Sequence, residues 1–323
     1  MVSLEYFAGF LDGDGYLALA RIKRRHRSLE YCVRLCVYNA DPRVLAEIQH
    51  GWGGFLSAVG QRRPAWKPSY ALIWTNAAAV GLLGKVAPHL RVKSEQATAL
   101  LEFNEHVNTC RRTRDSAGHL LPLTEEALGV RAVFHARLRR LNMKGKSVRS
   151  YPPARSSPNQ THVSAAYLAG FIDAEGCLMI PKATGANGRS HYHARISVGN
   201  TDRSVLEEIR AQFGGIMTNH PPGKVGWSYA YQLIWTDGMV ESLLNAVMPY
   251  LLAKRPQATI MLDLVYHKKS THQGRNGRRF ARHPETVAEF RENLRRQMKE
   301  LNAKGPSAGP SQLFQRPLPP VAR

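Results

Sequence analysis

Apolar residues recur along this chain first with the spacing of a helix and then with the alternation of strands, and the same succession occurs twice. The two helical segments read YFAGFLDGDG at 6–15 and YLAGFIDAEG at 167–176, and six of their ten positions are identical. Each segment ends in glycine, a frequent residue just beyond the end of a helix. We therefore expect two equivalent helices that end at Gly15 and Gly176.

Alternating apolar and polar residues follow each helix and predict paired strands. In the first half, YLALARIKR and LEYCVRLCVYN predict two strands joined by a basic turn, and GGFLSAV and YALIWT predict a second pair. Asp41, and Asp202 in the second half, can cap a short helix between the pairs. Helices are expected over roughly 77–87 and 93–107, then a basic C-terminal helix. Because strands so close in sequence pair antiparallel, each half is predicted to be an α+β unit of order αββαββα.

The two halves align without a gap over most of their length, at an offset of 161 residues. NADPRVLAEI at 39–48 matches NTDRSVLEEI at 200–209, and YALIWT matches YQLIWT. A period this long indicates a duplicated domain rather than a solenoid of short repeats. The segment between the copies is rich in proline and serine, as linkers are. We divide the chain into a first copy, a linker, a second copy and a flexible tail: residues 1–148, 149–163, 164–306 and 307–323.

The alternation in the second predicted strand of each copy separates a core face from a free face. The apolar positions, which should cover the helices, are Val33, Leu35, Val37, Ala194, Ile196 and Val198. The polar positions, which should face outward, are Cys32, Arg34, Cys36, Tyr38, His193, Arg195 and Ser197. An antiparallel sheet often has one solvated face, so an ordinary solvent-facing surface and a binding surface both remain open for the polar positions.

The charge balance favours a polyanionic partner. The chain has 45 Lys+Arg against 24 Asp+Glu, a net charge of +21 and a pI near 10.2. Nucleic acid fits such a charge best, and an anionic membrane surface fits it less well. No apolar run approaches the ~20 residues of a membrane span, so we expect no membrane partner. The four cysteines form no CxxC pair, which favours a reducing intracellular compartment, either an organelle or the bacterial cytoplasm.

Two acids stand at the end of each predicted helix, where the helix dipole disfavours negative charge by roughly 0.3–1 kcal/mol. They are Asp12 and Asp14 in the first copy and Asp173 and Glu175 in the second. A bound cation would offset this cost, and hard carboxylate oxygens suit Mg²⁺.

Small residues lie about one turn before these acids and would let the two helices approach closely. They are Ala8, Gly9, Ala169 and Gly170. If the copies pair about a pseudo-twofold axis, Asp14 and Glu175 meet at one end of the helix pair. Two carboxylates that hold metal ions between basic sheets would form a phosphodiester hydrolase site. The alternative is that each phrase is only a packing helix with exposed acids at its end.

The two phrases resemble the LAGLIDADG motif of LAGLIDADG homing endonucleases, and the resemblance covers both copies. A chain with two motifs resembles the monomeric subclass. The resemblance implies two tandem αββαββα domains related by a pseudo-twofold axis, whose antiparallel sheets form a DNA-binding saddle. It also implies a staggered double-strand break with 3′ overhangs in a long, near-palindromic DNA target.

The resemblance assigns roles to individual residues. The last acid of each motif, Asp14 and Glu175, is implied to bind Mg²⁺, which Mn²⁺ or Ca²⁺ can replace in binding. Asn39 and Asn200 match a polar position that helps to arrange metal-bound water, although both could simply be turn residues. Lys93 and Lys254 match a lysine typical of the site.

The expected DNA-binding residues lie on the free sheet faces and their basic loops. They are Lys23, Arg24, Arg25, Arg27, Cys32, Arg34, Cys36, Tyr38, Arg43, Arg62, His193, Arg195 and Ser197. Arg43 has Ser204 as its counterpart, so the two half-sites are expected to be unequal.

Three functions fit these observations. The leading one is a site-specific DNA endonuclease that acts as a monomer on an asymmetric double-stranded target. An intron-encoded RNA maturase of the same fold is the main alternative, with host intron RNA as its partner. A non-catalytic DNA-binding regulator is disfavoured because both motifs keep their acids.

Overall fold

The computed structural model describes residues 1–23, 29–60, 68–110, 114–118, 121–143, 162–185, 188, 190–224, 228–271 and 285–303. Most of the predicted linker and the whole predicted tail lie outside these ranges. Within them, no helix combines the length and the apolar character that crossing a membrane would require.

The first copy has the expected order of elements, with one further helix at its end. Its elements are α1 (Leu4–Asp14), β1 (Gly15–Ile22), β2 (Glu30–Asn39), α2 (Pro42–Trp52), β3 (Phe55–Val59), β4 (Ser69–Thr75), α3 (Asn76–Val86), α4 (Ser94–Thr109) and α5 (Glu125–Leu141). Helices α3 and α4 correspond to those expected over roughly 77–87 and 93–107, and α5 is the basic C-terminal helix.

The second copy repeats this order but its first hairpin is broken. Its elements are α6 (Ala165–Glu175), β5 (Gly176–Met179), β6 (Lys182–Thr184), β7 (Ser190–Tyr192), β8 (Arg195–Asn200), α7 (Arg203–Phe213), β9 (Ile216–His220), β10 (Ala230–Thr236), α8 (Gly238–Val247), α9 (Arg255–Ser270) and α10 (Glu285–Asn302). The expectation of one continuous strand pair in both copies is wrong here. Pro181 has no N–H for the ladder and follows the end of β5, so β6 and β7 form a separate hairpin.

Each copy forms one antiparallel four-stranded sheet, with the order β1-β2-β4-β3 in the first and β5-β8-β10-β9 in the second. The registers are equivalent, since Gly15 pairs with Val37 and Gly176 pairs with Val198. The fold is therefore the expected α+β architecture of two αββαββα units.

The two copies pack through α1 and α6, which approach so closely that glycine is required at the crossing. A Cβ added to Gly9 would lie 2.9 Å from the backbone nitrogen of Phe171 and closer still to the carbonyl oxygen of Tyr167. A Cβ on Gly170 would meet Phe10 and Tyr6 in the same way. The expectation that small residues bring these helices together is confirmed.

A buried ion pair forms a second contact between the copies. Arg91, whose side chain is 3% exposed, forms a salt bridge with Glu208 of α7. The same guanidinium donates to the carbonyl oxygen of His162 at 2.6 Å and lies 5.4 Å from the ring centre of Tyr167. This salt bridge has no equivalent on the other side, because the residue equivalent to Arg91 in the second copy is Leu252.

The core faces of the sheets are as expected, but the outer faces are less open than their polarity indicates. The six apolar positions of the second strands, Val33 to Val37 and Ala194 to Val198, are all buried. Cys36 and Ser197, expected to face outward, are 0% and 2% exposed. Direct cross-strand neighbours flank both residues, Tyr16 and Ile73 for Cys36 and their equivalents for Ser197, and they shield these small side chains.

Candidate active site and nucleic-acid interface

The ends of α1 and α6 fix the positions of the motif acids. Ser3 and Ser164 cap the two helices, each through a hydroxyl oxygen that accepts a backbone N–H. Each helix ends one residue before its glycine, so the last acid of each motif is also the last helical residue. Because the two helices pack against each other as equivalents, Asp14 and Glu175 lie at the same end of the pair.

The first acid of each motif has a structural role. Asp12 is 1% exposed, and its Oδ2 accepts the backbone N–H groups of Arg91 at 2.7 Å and Val92 at 3.1 Å. Its Oδ1 accepts the backbone N–H of Lys93 at 2.9 Å. The hydroxyl of Tyr167, from the other copy, donates to Oδ2 at 2.7 Å.

The second copy repeats the arrangement with the partners exchanged. Asp173 accepts the backbone N–H groups of Leu252, Ala253 and Lys254 and the hydroxyl of Tyr6, at 2.7–3.1 Å. Hydrogen bonds to an ionised carboxylate are among the stronger ones in proteins. The expectation that a cation offsets the charge of Asp12 and Asp173 is therefore wrong, since protein donors do so.

Asp14 and Glu175 have a different environment, in which the half-buried Asp14 lies close enough to the exposed Glu175 for the two charges to interact. A Cβ added to Gly13 would lie 3.0 Å from Cγ of Glu175, so the Glu175 side chain reaches across to the residue beside Asp14. Burial, and next the negative charge of Glu175, raise the pKa of Asp14 to about 7. The positive charges of Lys254 and Lys93 act in the opposite direction. The structure thus brings all four predicted residues together.

The two lysines bind the ends of the motif helices. Nζ of Lys93 donates to the carbonyl oxygens of Asp12 and Gly13, and Nζ of Lys254 donates to those of Ile172 at 2.7 Å and Asp173 at 2.5 Å. The carbonyl oxygen of Ile172 also accepts the backbone N–H of Gly176, and cations are favourable at this end of a helix. Burial lowers the pKa of Lys254, and neighbouring carboxylates, first Asp173, oppose this shift.

Asn39 and Asn200 form turns at the ends of β2 and β8. Their Oδ1 atoms accept the backbone N–H groups of Asp41 and Asp202, each at 2.8 Å. Val37, two residues before Asn39, pairs with Gly15, so each asparagine lies at the acid end of its sheet. The turn role is confirmed, and the role in arranging water stays a prediction.

The donor set fits a hard divalent cation. Two neighbouring carboxylates repel each other unless a positive charge lies between them, and this repulsion contributes, after burial, to the raised pKa of Asp14. Across the part of the chain that the structure describes, no three His, Cys, Asp or Glu residues group as metal ligands. Mg²⁺ commonly takes one or two carboxylates and completes its shell with water and substrate phosphate, so such a group of three is not required.

The predicted interface residues of the first copy are only partly accessible in the structure. Lys23 is exposed, whereas Cys32, Arg34 and Tyr38 are half-buried. Nε of Arg34 donates to Sγ of the buried Cys36 at 3.2 Å. The guanidinium of Arg43 is 76% exposed and forms a salt bridge with Asp41 at 2.6 Å. The predicted residues that lie outside the described residues are Arg24, Arg25, Arg27 and Arg62.

His193, expected on the outer face of the second strand, lies just before β8. Its Nδ1 is 2.8 Å from Oδ2 of Asp237, whose other oxygen accepts from Nζ of Lys268 at 2.6 Å. Arg195 and the buried Ser197 do lie on the outer side of β8. A strand position was wrong for His193 because the chain leaves the ladder after Met179 and rejoins it at Arg195.

A basic cavity of about 520 Å³ lies between β1 and the C-terminal part of α5. Its charged and titratable lining residues are Arg21, Arg34, His135 and Arg139, and none of the lining residues that the structure describes is acidic. Burial and the positive charges of Arg139 and Arg21 lower the pKa of His135. Sequence reasoning missed His135 and Arg139, because a basic helix alone does not indicate which of its residues reach the sheet.

The equivalent region of the second copy contains a carboxylate that offsets part of its positive charge. Glu292 of α10 accepts hydrogen bonds from Lys182 at 3.0 Å, Tyr192 at 2.6 Å and Arg295 at 2.6 Å. At the offset of 161 residues Lys182 occupies the position of Arg21, and at the offset of 160 residues that relates α5 to α10 Arg295 occupies the position of His135. The sheet edges of the two copies therefore differ in charge.

Residues 168–263 match the family model described as LAGLIDADG endonuclease. A search of the curated proteins found no match. Among solved structures, the chain is similar to the homing endonuclease I-GzeII in complex with its DNA target, with a TM-score of 0.62 and 14% identity over 91% of this chain and 98% of that one. It is similar to I-LtrWI bound to target DNA, with a TM-score of 0.64 and 12% identity over 91% and 96% of the two chains.

A third similar structure is I-SmaMI bound to uncleaved DNA target in the presence of calcium ions, with a TM-score of 0.61 and 12% identity over 94% and 100% of the chains. The resemblance to LAGLIDADG homing endonucleases is thus confirmed, by sequence within the second copy and by fold over most of the chain.

Proposed function

We propose that this protein is a site-specific DNA endonuclease that acts as a monomer and makes a staggered double-strand break in a long, asymmetric target with Mg²⁺. The observation that carries this proposal is the pairing of Asp14 and Glu175 across the packed motif helices. One chain supplies both carboxylates, so a second chain is not needed to complete the site.

The acids and lysines at the ends of the motif helices have different proposed roles. Asp14 and Glu175 would hold the divalent ion, which when bound supplies a Lewis acid and an activated water for phosphodiester hydrolysis. Asp12 and Asp173 keep the loops before α4 and α9 fixed to the helix ends. Lys93 and Lys254 thereby come to lie beside the carboxylates, where a cationic Nζ can stabilise the negative charge that develops on phosphate oxygens.

Three further observations support a DNA substrate. The net charge of +21 suits a polyanion. The matched family model is that of an endonuclease, and the similar solved structures include complexes with DNA targets. Two antiparallel strands fit the major groove, and each copy presents such strands beside the acids.

The proposal is tested by cleavage of a duplex target under single-turnover conditions, with binding measured on the same target in Ca²⁺. We expect Mg²⁺-dependent cleavage of both strands that leaves 3′ overhangs. Binding without cleavage in Mg²⁺ or Mn²⁺, by a protein that is fully folded, would contradict the proposal.

Substitution of Lys93 or Lys254 by Met is expected to slow single-turnover cleavage by about 10²-fold, as removal of one electrostatic group at a reaction centre commonly does. Affinity for the target should change little, because phosphate contacts elsewhere supply most of it. Lys85→Met serves as the matched control, since Lys85 is an exposed lysine of α3. Equal losses in rate and affinity would identify these lysines as simple phosphate anchors.

The difference in charge between the sheet edges predicts unequal binding of the two half-sites. Replacement of Arg21 and Arg139 by Ala should weaken binding to the target. It should also reduce the slope of the logarithm of the binding constant against the logarithm of the salt concentration by about one or two, because fewer counterions are released. A comparison change in the second copy, Lys182 and Arg295 to Ala, should alter the slope less because Glu292, which forms salt bridges with both, already offsets one of the two positive charges. Fluorescence anisotropy at several salt concentrations checks this, and equal slopes for the two variants would contradict it.

A further inference from the structure

A row of uncharged side chains, most of them apolar, crosses the outer face of each sheet close to the acids. In the first copy, cross-strand pairing aligns Tyr16, Cys36, Ile73 and Phe55. In the second copy it aligns the equivalent residues Cys177, Ser197, Ile234 and Ile216. We call these two sets the apolar rows, and none of their eight members is charged.

The two ends of each row are accessible, although Cys36 and Ser197 within the rows are buried. Phe55 is 56% exposed, Ile216 53% and Tyr16 46%, and Cys177 is also exposed. Phe55 and Ile216 occupy equivalent positions on the outermost strands, β3 and β9. An exposed apolar side chain is ordinary when it occurs singly. Here the same two positions are exposed and apolar in both copies, although the copies have diverged elsewhere on this face.

The rows lie at defined distances along the chain from the carboxylates. Tyr16 is two residues beyond Asp14, and Cys177 is two residues beyond Glu175. The next cross-strand row away from the acids begins with an apolar residue, Ala18 or Met179, and continues with polar residues in both copies. It contains Arg34 paired with Thr75, and Arg195 paired with Thr236. On the two central strands of each sheet, an arginine and a threonine that can donate hydrogen bonds thus lie one row further from the acids than the uncharged row.

Base edges in the major groove offer chemistry that suits both rows. Arginine and threonine can hydrogen-bond to purine and pyrimidine edges, whereas an apolar side chain can distinguish thymine by contact with its C5-methyl group. Cytosine has no such methyl group unless it is methylated. The apolar side chains of Phe55 and Ile216 cannot satisfy the polar edge of a wrong base, which adds to the discrimination.

We propose that the apolar rows read the base pairs nearest the cleavage centre through pyrimidine C5-methyl groups, with Phe55 and Ile216 as specificity-determining residues of the two halves. This inference rests on the proposed function, because it assumes that DNA lies on these sheet faces. It goes further in assigning thymine, or 5-methylcytosine, to positions on both sides of the centre.

The test starts from the target that the wild-type protein cleaves. Each thymine within the central region is replaced singly by uracil, which keeps base pairing and removes only the methyl group. At one or more positions in each half, we expect the dissociation constant in Ca²⁺ to rise about threefold to fivefold, the effect of losing one buried methyl contact. Where cytosine in place of thymine weakens binding, 5-methylcytosine should restore most of the loss.

Three variants locate the effect. Phe55→Ala should remove the sensitivity to uracil in one half of the target only, and Ile216→Ala in the other half only. Val59→Ala should change neither, although Val59 is an exposed apolar residue on the same strand and face as Phe55, with 40% exposure. Thermal unfolding should show that all three variants fold, because the replaced side chains are exposed.

The possible outcomes distinguish the proposed endonuclease function from the proposed reading of C5-methyl groups. Absence of cleavage by the wild-type protein on any target would overturn the proposed function. Cleavage with no effect of uracil, or a target with no thymine near the centre in either half, would overturn the methyl readout alone. Loss of uracil sensitivity in the Val59→Ala variant as well would show that the rows are not the reading surface.

Discussion

Replacement of Asp14 by Asn is expected to abolish double-strand cleavage and, at the same time, to stabilise the metal-free protein. Without a metal ion the carboxylate of the half-buried Asp14 is repelled by that of the exposed Glu175, and both lie at helix ends that disfavour negative charge. Removal of one charge should raise the free energy of unfolding by about 1–2 kcal/mol in EDTA at neutral pH. The cleavage rate should fall by about 10³-fold or more, because the metal-binding charge is lost.

The neighbouring acid provides a matched control with the opposite sign. Asp12→Asn removes a charge two residues away in the same helix, but Asp12 accepts four hydrogen bonds from protein donors. An amide there turns one acceptor oxygen into a donor that faces N–H groups, which should lower the free energy of unfolding by about 2–4 kcal/mol. Denaturant melts and single-turnover assays on both variants measure these effects. Destabilisation by Asp14→Asn would show that its charge is compensated within the protein and would argue against metal binding.

Gly9→Ala is expected to cause a large loss of stability, although it adds only one methyl group. Its Cβ would meet the backbone of α6, which cannot move away as the end of a flexible side chain can. The helices would have to separate, and Asp14 and Glu175 would separate with them. We expect a loss of about 3 kcal/mol or more, at the upper end for overpacked sites, together with loss of cleavage.

Gly81→Ala is the control for the Gly9 substitution. Gly81 lies within α3, is exposed, and a Cβ there would meet nothing within 4 Å. Alanine should therefore stabilise α3 by about 0.5–1 kcal/mol through its higher helix propensity. Thermal and urea unfolding of both variants checks the pair. If Gly9→Ala melts like the wild type, the close approach of α1 and α6 is wrong, and so is the geometry that pairs the acids.

The repetition of the chain predicted the architecture well, for a physical reason. A segment such as YFAGFLDGDG carries its own helix end in Gly15, and the alternation in 32–38 assigns the core face of a strand without other information. Duplication then doubled the observations, since each element in one copy could be checked against the other. The pairing of Asp14 with Glu175 followed from the small residues at the helix crossing.

The sequence could not distinguish the two acids of each motif. Asp12 and Asp14 share the same chemistry and lie two residues apart at one helix end. What separates them is a loop about 80 residues further along, whose backbone N–H groups surround Asp12 but not Asp14. Every residue type except proline carries a backbone N–H, so the sequence does not show which of these groups donate to Asp12. Tyr167, the fourth donor, could have been suspected because Tyr6 repeats it.

The sequence also could not predict which residues of the outer sheet face are exposed. Alternation tells which side of a strand a residue occupies, but not how far its neighbours cover it. Cys36 and Ser197 are small residues between larger cross-strand neighbours, so they are buried on a face that is open elsewhere. The interruption at Pro181, in contrast, had a visible signal, because proline cannot donate to the interior of a sheet.

The central claim is that Asp14 and Glu175 form one metal-dependent site that cleaves both strands of a specific DNA target. The most direct measurement incubates the protein with a randomised duplex library and Mg²⁺ and sequences all cut ends. We expect one recurrent pair of ends with 3′ overhangs from an asymmetric target, and none from the Asp14→Asn/Glu175→Gln double variant, which should still bind that target in Ca²⁺. Cleavage by the double variant at the same position would contradict the claim.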